Sequence, residues 1–297
     1  MAGAHAGDDP TASAGTALVR TGRGGEPLRR LRFGLSTVLG LAPRGFFIPY
    51  RYAATVRPVA YPALVPLFDR ADGRMAALLD RIAAHAPDLR RIAAGPGPAR
   101  FDQDWFPRLD AAAAYAIVRA ERPGRIVEIG SGHSTRFLAR AAADGGLATE
   151  ITAIDPAPRA SLDGLGIRHL PTLLDESTAV IAGIGAGDIL FVDSSHVAVP
   201  GSDVDRIVGH VLPALPSGAI LHLHDILLPD PYPRDWAWRG YNEATVVAAL
   251  LAGGGWEILF SSHWVATRHP DRLCSGILRE LPLPAGARET SLWLRRR

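Results

Sequence analysis

One run of the 297-residue chain constrains its fold more than any other: Arg125–Ile126–Val127–Glu128–Ile129–Gly130–Ser131–Gly132–His133–Ser134–Thr135. An apolar strand carrying one acid runs into a glycine turn and then into the start of a helix. Glycine lets the backbone turn sharply and come close to a ligand. The N–H groups that open the next helix lack partners within it and attract an anionic group. A second acid, Asp155, ends the next apolar stretch, Glu150–Ile154. Strand, glycine turn, helix and a following acid are the parts of an adenosine-cofactor site on a parallel sheet, with Asp155 placed where a ribose would lie.

The rest of the second half keeps the same rhythm. Helix is predicted over Thr135–Ala143, a short strand near Ile167–Leu170, and a buried strand over Gly187–Asp193. A helix over Val204–Leu212 leads to a strand over Ala219–Asp225, and a helix over Tyr241–Ala252 follows. The pattern closes on two strands, Trp256–Val265 and Thr290–Leu294, with no helix-length segment expected between them. Strands alternating with helices predict an α/β fold around a parallel sheet. Upstream, helix is expected from Pro107 to Arg119 and across Pro62–Ala94, where Leu64, Leu67, Met75, Leu78, Leu79, Ile82 and Leu89 recur at helical spacing. The breaker Gly95–Pro96–Gly97–Pro98 marks a boundary. Three regions follow: a flexible tail over 1–27, a helical N-terminal extension over 28–100, and the cofactor domain over 101–297.

Composition narrows the chemistry. The chain is 47% hydrophobic with a formal net charge of +2, and its basic residues are dispersed through the second half, so nucleic acid is not an expected partner. It contains no lysine. That excludes a Walker A lysine, a pyridoxal phosphate Schiff base and a lysine general base. Cys274 is the sole cysteine, which precludes an intrachain disulfide; it reads as a small hydrophobe. The first residues lack the apolar core of a signal peptide, and no apolar run reaches membrane-spanning length. A soluble cytoplasmic protein is the expectation.

Leu28–Tyr52 stands apart. Leu28–Arg29–Arg30–Leu31–Arg32–Phe33 leads into Leu35–Leu41 and then Arg44–Gly45–Phe46–Phe47–Ile48–Pro49–Tyr50. Arginines interleaved with aromatics fit a membrane-interfacial helix. The preferred expectation is a helix and loop packed on the cofactor domain or on a second copy in a homo-oligomer.

The glycine turn discriminates between cofactors. A nicotinamide or flavin site asks for Gly-x-Gly-x-x-Gly/Ala, and here the third small position falls on Thr135. An acid directly before the turn has no task beside a pyrophosphate, but suits a cofactor carrying an ammonium and a sulfonium. With these residues the chain resembles the class I S-adenosylmethionine-dependent methyltransferases, and within them a bacterial group with VEIGSGHST (Val127–Thr135), DSSH (Asp193–His196) and HDI (His224–Ile226). The segments at Gly45–Ala53 and Asp230–Glu243 also look like this group, and the main resemblance runs from Phe101 to the C-terminus. It implies a Rossmann-like, mostly parallel seven-stranded sheet with helices on both faces and an antiparallel last strand. Glu128, Gly130 and Gly132 would line the methionine end of S-adenosyl-L-methionine, Ser131, His133 and Ser134 would belong to the same cofactor turn, Asp155 would bind the ribose hydroxyls, and Asp193 would sit beside the methyl group.

Ligands on such sheets bind outside the carboxyl ends of the strands. Asp193, Ser194, His196, His224 and Asp225 fall at the ends of two central strands, so they are expected to converge. Methyl transfer needs an acceptor aligned with the S–CH3 bond and a free lone pair. A neutral alcohol or phenol must lose its proton to a base or bind a metal. Two mechanisms fit. His196 or His224 is a general base oriented by Asp193 or Asp225, or Asp193, His224 and Asp225 hold a divalent cation, for which mixed His/Asp ligands favour manganese, iron or zinc. His222, two residues before His224, is expected in the core. Trp236, Trp238 and Tyr241, in the aromatic Leu227–Asn242 segment, are candidate substrate contacts with Arg234 and Arg239 beside them; a loop that simply packs is the alternative. Trp105 and Phe106 are expected over the cofactor. The expected function is methyl transfer to a small molecule, at oxygen. Rivals are an NAD(P)-dependent oxidoreductase and a non-catalytic membrane-peripheral or scaffold protein with a vestigial pocket.

Overall fold

In the computed structural model, residues 26–297 are described. The tail predicted over 1–27 therefore lies outside the described residues, except that helix α1 (Glu26–Val38) already begins at Glu26. Contacts divide the chain after Val56 into two compact units. In the first, α1 is followed by irregular chain and a 3-10 turn at Ala53–Thr55. Among the described residues of this unit, none from Leu28 to Val56 is buried.

The second unit, Arg57–Arg297, opens with α2 (Val65–Asp69), α3 (Asp72–Ala84) and α4 (Ala86–Ala94). The apolar positions read from the sequence are its inward stripe: Met75, Leu78, Leu79, Ile82 and Leu89 are buried. These helices lie in the same compact unit as the sheet, and contacts do not separate them from it near residue 100. Helix α5 (Arg108–Glu121) follows, and every residue from Leu109 to Val118 is buried. A run of four alanines, Ala111–Ala114, makes one turn of it slim on all sides, which lets it sit close against its neighbours.

Strand β1 (Arg125–Ile129) then leads to α6 (His133–Asp144), β2 (Glu150–Ile154), β3 (Arg168–Leu170), α7 (Leu174–Ile181) and β4 (Ile189–Val192). A short α8 (Asp203–Arg206) runs on into a π-helical turn at Ile207–Val211, and β5 (Ile220–Leu223) follows. A 3-10 helix at Arg234–Arg239, α9 (Glu243–Ala252) and β6 (Trp256–Ser261) come next. The chain ends with α10 (Ser262–Arg268), α11 (Gly276–Glu280) and β7 (Leu292–Arg296). The strand order is β3-β2-β1-β4-β5-β7-β6. All pairs from β3 to β5 are parallel, and β7 runs antiparallel to both β5 and β6. The sheet expected from the sequence is thus present, with helices around it.

Two expectations fail at the C-terminus. Trp256–Val265 is not one strand: Ser261 accepts a hydrogen bond from the Trp264 N–H at 3.2 Å and caps α10. Ser261–Ser262–His263 interrupts the apolar run at that switch, and the serine cap terminates the strand by a local side-chain bond. Helices α10 and α11 also occupy the β6–β7 connection that was expected to hold none. Helix α7 was not foreseen at all.

The central strands are buried on both faces, as their continuous apolar sequences require. The order reverses between β1 and β4, since β2 and β3 lie to one side of β1 and β4 and β5 to the other. Such a switch point opens a crevice beyond the carboxyl ends of the strands.

Candidate active site

Two adjoining cavities occupy that crevice. The larger, about 400 Å³, is lined by Gly130, Ser131, Asp155, Pro156, Leu173 and Asp193, among others. The smaller, about 110 Å³, is walled by Asp193, His196, His224, Asp225, Trp236 and Arg239, with further side chains around them. Asp193 and Arg159 line both.

Gly130 has φ +77°, and a Cβ there would lie 2.0 Å from the carbonyl oxygen of Asp193, so only glycine lets β1 and β4 end side by side. The Gly130 N–H donates to the carbonyl of Ile154 at 3.0 Å, which ties the turn to the end of β2. Just beyond, Asp155 accepts the N–H and hydroxyl of Ser131 at 2.7 and 3.0 Å on one oxygen, and the N–H of Ala157 at 2.8 Å on the other. The carboxylate is thereby locked at the rim of the larger cavity.

Glu128 lies just upstream of the same turn. It is fully buried beneath the turn, where its oxygens accept the hydroxyls of Ser134 and Thr135, each at 2.6 Å. Thr135 in turn accepts the Gly132 N–H at 2.9 Å. Burial pushes the Glu128 carboxyl up to about 8, against the pull of the two hydroxyls. Glu128 thus braces the start of α6 from below and does not line either cavity. Gly132 and Ser134 belong to this same brace. His133 is buried with its Nδ1 unpartnered, and burial, with Arg136 and Arg100 nearby, lowers it to about 4.

Of the five residues expected to converge at the ends of β4 and β5, Asp193, His196, His224 and Asp225 form one cluster, and Ser194 lines the larger cavity and donates its hydroxyl to Glu243 at 3.2 Å. His196 Nε2 lies 3.3 Å from Asp193 Oδ1 and 3.6 Å from Asp225 Oδ2. His224 Nδ1 lies 3.6 Å from the same Asp193 oxygen and 3.7 Å from Asp225 Oδ1. Two carboxylates absent from the sequence reading stand behind the histidines. Glu243, at the start of α9, is 2.9 Å from His196 Nδ1; Asp110, in the first turn of α5, is 3.5 Å from His224 Nε2. Both carboxylates are buried. Each imidazole is therefore held between a buried acid at its back and the Asp193–Asp225 pair in front.

The electrostatics follow from that sandwich. Burial opposes charge on His196, but Asp193, Glu243 and Asp225 outweigh it and hold the imidazole protonated well above its usual range. His224 is raised in the same way: burial works against the charge, and Asp193, Asp225 and Asp110 overcome it. Asp193 moves oppositely. Burial would raise it, yet His224 and His196 keep its carboxyl well below the ordinary range. At neutral pH both histidines are therefore acids, and Asp193 is ionised. Backbone geometry is unusual here too. His196 and Asp225 have φ of +60° and +54°, left-handed values that non-glycine residues adopt where the surroundings enforce them.

His222 lies in the core as expected, stacked on Phe191 with ring centroids 3.7 Å apart and bonded through Nε2 to Ser291 at 2.9 Å. Burial, with the nearby His224, keeps it neutral by lowering it well below the usual histidine range. Among the described residues, no group of three or more His, Cys, Asp or Glu side chains has the arrangement to hold a metal ion. Asp193, His224 and Asp225, the residues expected to hold a cation, are here engaged with His196 in an ion-paired network.

The Leu227–Asn242 segment forms one wall of the smaller cavity. Trp236 and Tyr241 line it; Trp238 does not. The Arg239 guanidinium lies over the rings of Trp236, Tyr241 and Trp238 at 4.5, 5.3 and 5.6 Å, and its Nη1 is 3.7 Å from Asp225. Across the cavity, Trp105 stacks under Arg159 at 4.2 Å. Phe106, expected over the cofactor with Trp105, turns instead into the core against Phe191. Signals for the missed acids existed. Asp110 is the one charged residue in the Leu109–Val118 stretch of α5, and Glu243 ends the Asp230–Glu243 motif.

Comparison with known proteins falls on this same region. Residues 127–226 match the model of a family described as a methyltransferase domain, a span running from β1 to just past Asp225. The matched segment thus carries the glycine turn, Asp155 and the whole Asp193–Asp225 cluster. Among solved structures, the chain is similar to the S-adenosylhomocysteine-bound methyltransferase PaMTH1 of Podospora anserina (18% identity, 85% of this chain and 99% of that chain, TM-score 0.41). It is similar to the O-methyltransferase TomG of Streptomyces achromogenes (17%, 74% and 89%, TM-score 0.40). It is also similar to an O-methyltransferase of Bacillus cereus (12%, 80% and 96%, TM-score 0.39). No curated protein sequence matches it. The match describes a methyltransferase domain, and not the nicotinamide oxidoreductase or the non-catalytic scaffold considered as rivals.

Proposed function

We propose that this chain is an S-adenosylmethionine-dependent methyltransferase that methylates an oxygen of a small-molecule acceptor in the cytoplasm. The observation that carries the proposal is the pair of cavities meeting at Asp193, one of nucleoside size beside a glycine turn and the other walled by carboxylate-backed histidines. The residues fit the cofactor: Gly130 leaves no side chain at the crossing of β1 and β4, and Asp155 presents a fixed carboxylate at the rim. Gly130, Ser131 and Asp155 would hold the nucleoside portion and Asp193 the sulfonium end. Glu128 would act indirectly, by fixing the turn. When bound, the cofactor supplies an electrophilic methyl group.

The chain's own groups prepare the acceptor. Ionised Asp193 accepts a hydrogen bond from an incoming hydroxyl and turns its lone pair into the cleft. His196 or His224 takes that single proton in the fraction of molecules where its imidazole is neutral, and that fraction grows as pH rises. Glu243 and Asp110 set each ring's orientation and the protonation of its rear nitrogen. Arg239, within its aromatic ring set, positions the acceptor against Trp236 and Tyr241.

Isothermal titration with S-adenosylmethionine and S-adenosylhomocysteine tests the proposal. Both are expected to bind, and His196→Asn is expected to retain binding while losing methyl transfer to a panel of phenols and alcohols. Absence of binding by either cofactor form would refute it.

A further inference from the structure

The first unit carries a surface that the methyl-transfer proposal does not use. On α1, Leu28, Leu31, Leu35 and Val38 are spaced so that they share one helical face, while Arg29, Arg30 and Arg32 point elsewhere. The chain beyond continues the apolar character with Leu41, Phe46, Phe47 and Ile48, and every one of these eight side chains is at least 51% exposed. From Pro27 to Val56 there are five arginines and no acidic residue. Three of the arginines lie against aromatic rings of the same segment. The guanidinium groups of Arg29 and Arg44 lie 5.2 and 6.0 Å from the Phe33 ring, and that of Arg51 lies 5.6 Å from Tyr52.

We propose that residues 28–52 bind the surface of an anionic lipid bilayer. Two features choose this occupant. A bilayer interface offers acyl chains to the leucine and phenylalanine side chains and, a few ångströms above, anionic headgroups to the arginines. A second copy of the same segment would set five like charges against five like charges. The segment lies in the interface and does not cross it: α1 has 13 residues, and among the described residues no helix is long and apolar enough to span a membrane. Apolar side chains and a basic cluster together give the two signals that stable peripheral binding requires.

Co-sedimentation of the full chain tests this, using vesicles of phosphatidylcholine alone and of phosphatidylcholine mixed with phosphatidylserine. The protein is expected to sediment with the mixed vesicles, to be released by raised salt, and to remain largely free of the neutral ones. The double variant Arg29→Ala/Arg32→Ala is expected to weaken partitioning on the order of 30-fold, and Phe46→Ser/Phe47→Ser to abolish it, with circular dichroism matching the parent. No sedimentation with mixed vesicles, equal binding to both vesicle types, or a salt-insensitive association would overturn the proposal. So would a dimer in sedimentation velocity that Phe46→Ser/Phe47→Ser dissociates while vesicle binding is absent. Cofactor titration is an independent readout, so a failure here leaves the methyl-transfer proposal standing, and the reverse holds as well.

Discussion

Glu128→Gln is the perturbation whose size the structure defines best. The Glu128 carboxyl is fully buried, and burial lifts it from the ordinary 4.5 to about 8. Because the folded state holds this proton more tightly than the unfolded chain does, folding takes up a proton in the interval between the two values. The stability associated with the neutral form is fully present below pH 4.5 and is lost as pH rises towards about 8. At about 1.36 kcal/mol per pH unit, the whole interval corresponds to about 5 kcal/mol. The part falling between about pH 6 and about pH 9 is about 3 kcal/mol. Glutamine is close in shape and does not ionise. Its carbonyl can accept the Thr135 hydroxyl, and its amide can donate to Ser134, whose hydroxyl rotates to suit. Urea unfolding of both proteins at the two pH values measures the difference. The parent is expected to lose about 3 kcal/mol more than Glu128→Gln on going from the lower to the higher pH. Parallel losses in the two proteins would show that Glu128 is ionised throughout and would refute the account of the brace beneath the glycine turn.

Two further outcomes follow from the buried acids. Replacing Glu243 by Gln removes a carboxylate that raises His196, so the rise of methyl transfer with pH is expected to move to lower pH while cofactor affinity is unchanged. A purely structural role for Glu243 would lower turnover at every pH without moving the profile, which a pH series of kcat and KM distinguishes. Glu289 accepts Arg108 through two bonds of 2.8 and 3.0 Å and the Leu109 N–H at 2.9 Å, with both side chains largely buried. Glu289→Ala is expected to destabilise the fold by about 3 kcal/mol, measured by urea unfolding, because it leaves the arginine without its carboxylate.

Residues acting through local geometry were legible before any coordinates. The Gly130 turn, strands β1 and β2 and the acid at Asp155 depend on neighbours a few positions away, and they lie where the sequence placed them. The convergence of Asp193, His196, His224 and Asp225 was legible for a related reason: adjacent parallel strands deliver the residues after their carboxyl ends to one place. Position along the strand did not reveal depth. Glu128 comes two residues before Gly130, and only the folded chain shows its carboxyl buried against the Ser134 and Thr135 hydroxyls at the start of α6.

Sequence alone determined the α/β alternation, the glycine turn after β1, and the choice of histidine and aspartate as the available proton-handling groups in a chain without lysine. Tertiary structure decided what those groups do. The Glu243–His196 and Asp110–His224 pairs join helices to strand ends across long stretches of chain, and only packing brings them within reach. Protonation depends on that packing as well. A histidine's charge reflects the balance between desolvation and the carboxylates around it, and neither quantity exists until the chain has folded.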